Sequence, residues 1–132
     1  MKERVIVMVD GETVSTAHAA QILQEAVRRG ALALARAYGD LSGPSGWQGA
    51  KGFHNVDAGA GPGGAPMLIT IDAMEFAFTD VFEAIVIASS NGIFVPLVDR
   101  LSRYGTDVTV MGGPDTPQAL RAVSPSFVTL PE

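Results

Sequence analysis

The sequence contains no cysteine. Disulfides and cysteine–zinc sites are therefore excluded. Histidine is almost as scarce, with only His18 and His54, and neither has a second histidine at ligand spacing. Charged residues make up 17% of the chain, too few for a disordered polymer. No apolar run reaches the ~18 residues that a membrane-crossing helix needs. The first residues, Met1 to Val5, lack the apolar stretch and small-residue cleavage site of a signal peptide, so a cytoplasmic location is expected. An excess of positive charge is missing too. The net charge is −5, which speaks against a strong binder of nucleic acid through bulk electrostatics. It suits carboxylates gathered around a cation, whose charge offsets their repulsion. Ser89-Ser90 has no nucleophile-elbow pattern around it. The glycine-rich stretch from Asp57 to Pro66 matches neither phosphate-binding glycine fingerprint and reads as a mobile loop.

What is present is apolar material in a regular order. Residues of hydrophobic type form 47% of the 132, enough for the core of one domain spanning 1–132. Arg4 to Val9 is a continuous run rich in β-branched residues, as in a strand buried on both faces. Thr13, Ser15 and Thr16 offer capping hydroxyls, and a helix is expected over Ala17 to Arg29, closed by Gly30. Ala31 to Tyr38 follows as a second strand. A long connection then runs to Pro66, with room for a short strand at Gly52 to Val56. Met67 to Thr79 has strand propensity at Leu68 to Ile71. Yet Met67, Ile71, Met74 and Phe78 fit one helical face, and Asp72, Glu75 and Thr79 another, so a helix is expected. Glu83 to Ala88 and Thr106 to Met111 read as strands, with a helix between them around Phe94 to Leu101. Pro96 is tolerated in its first turn. A short helix at Thr116 to Ala122 and a strand at Phe127 to Leu130 complete the order.

This alternation predicts an α/β fold: a three-layer, Rossmann-like domain with a mainly parallel five-stranded sheet. Ligands of such sheets sit beyond the carboxyl ends of the strands. Asp10 and Glu12 stand just past the first strand and Asp40 past the second. Asp72 and Glu75 project from one side of a helix. Acids converging there would hold Mg²⁺ or Mn²⁺, and such an ion stabilises charge on a phosphodiester. The plainer reading is that Asp10 caps the following helix and that Asp72 and Glu75 form a solvated face. Ser89 and Ser90 suit local hydrogen bonding. Trp47 either stacks on a base or covers an edge of the core.

Taken in series, these pieces resemble the NYN domains, especially the LabA-like branch of the PIN-fold nuclease superfamily. The matching segments are Val7 to Ser15, Arg36 to Asp40 with Trp47 downstream, Ile71 to Glu75, Val86 to Leu97 and Ala119 to Ala122. The resemblance implies acids at the carboxyl edge of the sheet and, often, metal-dependent RNA cleavage. Asp10, Asp40 and Asp72 match positions that are acidic in the family and would be the catalytic and metal-binding residues, with Asn91 as a neutral ligand. Glu12, Thr13, Ser89 and Ser90 would line the substrate. The pattern is also broken. Where the family has Ser-Ser-Asp-x-Asp-Phe, this chain has Asn91 and Ile93. Pro66 occupies another position that is often Asp, and Thr13 one that is often Asn. Ile93 and Pro66 offer no oxygen to a cation, so a degenerate site is expected, acting through RNA or a protein partner. The rivals are an active Mg²⁺- or Mn²⁺-dependent ribonuclease using Asp10, Asp40 and Asp72, and a regulatory module, in its simplest form a homodimer.

Overall fold

A computed structural model describes residues 3–42 and 46–131. Strand β1 spans Arg4–Asp10, β2 Ala31–Gly39, β3 His54–Asp57, β4 Ala84–Ala88, β5 Asp107–Gly112 and β6 Ser126–Thr129. All pair in parallel, in the order β3-β2-β1-β4-β5-β6. Four helices accompany them: α1 Ala19–Arg29, α2 Gly64–Thr79, α3 Val95–Arg103 and α4 Gln118–Val123. The sheet thus has six strands among the described residues, one more than expected. The addition is β3, which falls where a short strand at Gly52 to Val56 had room but was not counted in the sheet; its sequence His-Asn-Val-Asp carries no apolar run and is recruited by its register with β2.

Successive side chains of a strand point to opposite faces, and β1 shows how this builds three layers. Val5, Val7 and Val9 join the core under α1, together with Ile22 and Ala26. Ile6 and Met8 join the other core, with Ile69 and Ala73 of α2, Leu97 and Leu101 of α3 and Leu120 of α4. Asp10 is the next residue on the α2 side. Between β2 and β3 stands a short 3-10 turn, Gly46–Gly49, rather than an α-helix. Trp47 is buried there, edge-on to Phe53 with ring centroids 5.0 Å apart, and its indole N–H donates to the Val14 carbonyl at 2.9 Å. Of its two readings, the one realised is cover for the core edge.

The helices begin where capping chemistry permits. The Ser15 hydroxyl accepts the Ala17 N–H, and a single 3-10 turn at Thr16–His18 leads into α1 two residues later than expected. Asn91 caps the turn Gly92–Phe94 by accepting the Ile93 N–H at 3.0 Å. Pro66 is accommodated in the first turn of α2, so that helix starts earlier than the expected Met67.

The two faces of α2 are arranged in a way the sequence did not disclose. The side laid on the sheet carries Ala65, Ile69 and Ala73, all fully buried. Two alanines there let the helix lie close to the strands. The Met67–Ile71–Met74–Phe78 side is turned outward, with Phe78 75% exposed. No helix among the described residues is long and apolar enough to cross a membrane.

Candidate functional site

From β1 the chain moves to β2 and β3 on one side, whereas β4, β5 and β6 lie on the other. The sheet therefore has its switch point between β1 and β4, the place where such folds open a crevice. Val9 and Ala88 are register partners across that gap, so Asp10 and Ser89 emerge side by side. Both are fully buried. The backbone is tight on both flanks. A Cβ added to Gly11 would sit 2.7 Å from the Tyr38 carbonyl, and one added to Gly112 would sit 2.7 Å from the Ser89 carbonyl.

The Asp10 carboxylate is supplied with donors from within the chain. One oxygen accepts the Glu12 N–H at 3.1 Å. The other accepts the Ser89 hydroxyl at 2.8 Å and the Thr13 hydroxyl at 3.2 Å. Each hydroxyl in turn accepts an amide from the loop after β4: Ser89 Oγ takes the Asn91 N–H at 2.9 Å, and Thr13 Oγ1 takes the Ser90 N–H at 3.4 Å. Burial raises the Asp10 carboxyl above its ordinary pKa. The hydrogen bonds from Ser89, Glu12 and Thr13 oppose that rise, and the Glu12 charge adds to it.

The other expected site residues serve separate structures. Glu12 turns its carboxylate to the start of α2, accepting the Gly63 N–H at 3.4 Å and the Ala65 N–H at 3.3 Å. Gly63 has no side chain with which to cap, and an anion at a helix N-terminus is favoured by the helix dipole. Asp40 accepts the Ser42 hydroxyl at 2.6 Å and its N–H at 2.9 Å, and these bonds hold its carboxyl below the usual range. Asp72 accepts the Tyr38 phenol at 2.6 Å and lies 3.3 Å from Arg36, whose guanidinium also rests over the Phe76 ring at 5.0 Å. Burial, and then the bond to Asp72, push the Tyr38 phenol well above its ordinary pKa. Ile93 is exposed, Pro66 is buried in the first turn of α2, and the Asn91 side-chain oxygen is occupied by its cap.

The structure therefore brings Asp10, Thr13, Ser89 and Ser90 into one cluster with the Asn91 amide, and gives Glu12, Asp40 and Asp72 other partners. Sequence reasoning missed the pairing of Asp72 with Arg36 and Tyr38. The signal was the alternation of β2, which sets Arg36 and Tyr38 on one face beside Asp10, the register partner of Tyr38. His18 lines a cavity of 310 Å³ with Thr13, Ser90 and Asp115. A cleft of 400 Å³ opens on the other side of the same loop, bordered by Glu12, Ser15, Thr16, Asp40 and Trp47.

A family model for the NYN domain matches residues 4–131, which include all of these elements. The chain belongs to the NYN family. It is thereby a member of the PIN-like nuclease superfamily, as the three-layer fold agrees. A comparison with curated proteins gives no significant match. NYN nucleases are generally metal-dependent, so the donor set of this NYN domain bears directly on its chemistry. Mg²⁺ and Mn²⁺ are held by oxygen ligands, carboxylates foremost. Here Asp10 is engaged on both oxygens, Asp72 already faces the positive charge of Arg36, and Asn91 is a cap. Among the described residues no three histidines or acids gather closely enough to hold an ion. Among the described residues the acids named from the sequence therefore do not converge on one point.

Proposed function

We propose that this NYN domain, of the LabA-like branch, binds RNA at the carboxyl edge of its sheet and cleaves it weakly or not at all. One observation carries the reading. The Asp10 carboxylate, at the switch point, accepts hydrogen bonds on both oxygens, from Ser89, Thr13 and the Glu12 amide, and so acts as the tie between two loops. The two cavities beside the Glu12–Ser15 loop are lined by the hydroxyl-bearing residues Ser15, Thr16 and Ser90. A chain of net charge −5 recognises RNA through such local groups rather than through bulk positive charge. A cytoplasmic setting belongs to the same reading.

The test is fluorescence anisotropy with labelled single-stranded RNA, paired with a gel of the same RNA after incubation in millimolar Mg²⁺ or Mn²⁺. Saturable binding is expected, with intact RNA and a shallow dependence on salt. Degradation that Asp10→Asn abolishes would instead establish an active ribonuclease built on Asp10, Asp40 and Asp72. Absence of both binding and degradation would remove RNA from the account. A protein-interaction role has one specific observation in its favour, the outward face of α2.

A further inference from the structure

Helix α2 is apolar on nearly every side, and such a helix is ordinarily buried all round. Its sheet side is buried through Ala65, Ile69 and Ala73, but its outer side is not. Met67 is 63% exposed, Ile71 53% and Phe78 75%, with Met74 half-buried between them. The spacing of four, three and four residues makes one straight stripe along the helix. The stripe continues sideways. An apolar groove of 260 Å³ lies between Pro66, Met67 and Thr70 of α2 and Ile93, Pro96 and Leu97 at the start of α3, where Ile93 is 62% exposed. At the far end the Phe78 and Tyr104 rings lie 6.2 Å apart. A contiguous exposed apolar surface of this kind marks an interface.

The charges beside the stripe indicate its occupant. One flank faces β2 and carries Asp72, held by Arg36, and Glu75. The other flank is α3, which carries Arg100 and Arg103. Among the described residues Glu75 and Arg100 make no ion pair, whereas Arg103 pairs with Asp99. Both helices follow strands of a parallel sheet and run away from its carboxyl edge. The Phe78–Tyr104 contact sets their relative height, and one turn back from each places Glu75 level with Arg100.

We propose that this face docks a second copy of the chain about a two-fold axis parallel to α2. That axis lays stripe on stripe and brings Glu75 of each copy opposite Arg100 of the other, twice over. An axis across the helices would set acidic flank against acidic flank. Such an isologous contact closes at a dimer.

Sedimentation velocity of the purified chain across a concentration series tests this. A dimer at tens of micromolar is expected. Ile71→Glu should give a monomer with an unchanged far-ultraviolet circular dichroism spectrum; if that variant fails to fold, Phe78→Ser, at a more exposed position, takes its place. Glu75→Arg should weaken association about fivefold or more, and Glu75→Arg with Arg100→Glu should restore it. A wild-type chain that stays monomeric at a hundred micromolar would overturn the proposal and leave the face to a partner of another kind. A dimer indifferent to Ile71→Glu, or a double charge reversal that stays weak, would overturn it as well.

Discussion

The Ser89 hydroxyl donates to the Asp10 carboxylate at 2.8 Å, joining residues 79 positions apart across the switch point of the sheet. The same oxygen of Ser89 accepts the Asn91 N–H, so the contact also shapes the turn that opens the α3 segment. Asp10 thus ties two loops together at the switch point.

Ser89→Ala removes a donor from a buried carboxylate and an acceptor from the Asn91 amide. A buried polar group left unsatisfied costs about 1–3 kcal/mol. Urea denaturation should show a loss of that size, with an unchanged m-value.

Asp10→Asn should change how stability depends on pH. Burial raises the folded-state pKa of Asp10 above its ordinary 3.8, so between the two values the native state binds more protons than the unfolded chain. Ionising this carboxyl then counts against folding as pH rises through that window, and the cost persists above it. Relative to the wild type, the Asn variant should therefore gain stability as pH rises from about 4 toward neutrality. Denaturation curves at several pH values check this, and a relative loss over the same window would contradict it.

Tyr38 should ionise unusually late, because its phenol is buried and donates to Asp72. An ultraviolet titration should show a delayed phenolate step that disappears in Tyr38→Phe. The same variant should lose about 1 kcal/mol of stability, the usual net worth of one such bond.

Glu12→Ala strips the N-terminus of α2 of its cap. Helix-terminal anions contribute roughly 0.3–1 kcal/mol when exposed, and salt screens them. The variant should be destabilised within that range at low ionic strength and by less at high salt.

Parts of this architecture were legible in the sequence because their side chains state the environment outright. β1 and β4 are apolar on both faces, as a strand covered on both sides reads. β3 was readable only as room for a short strand at Gly52 to Val56, because His54 to Asp57 have little pattern of their own and gain strand geometry from β2. For α2 the helix was readable and its orientation was not, since the Ile69 and Ile71 sides are both apolar. The choice fell to alanines that permit close packing. The acids at the strand ends were visible, and their partners were not. Asp10 is bound by a serine far along the chain, and Asp72 by residues of a different strand, so convergence on a cation could not be separated from private hydrogen bonding by spacing alone.

The central claim is that the Asp10 site is filled by the chain's own donors. Isothermal titration with Mn²⁺ addresses it most directly. The account predicts no saturable heat at several millimolar Mn²⁺, for the wild type and for Asp10→Asn alike. A stoichiometric isotherm in the wild type that vanishes in Asp10→Asn would contradict it.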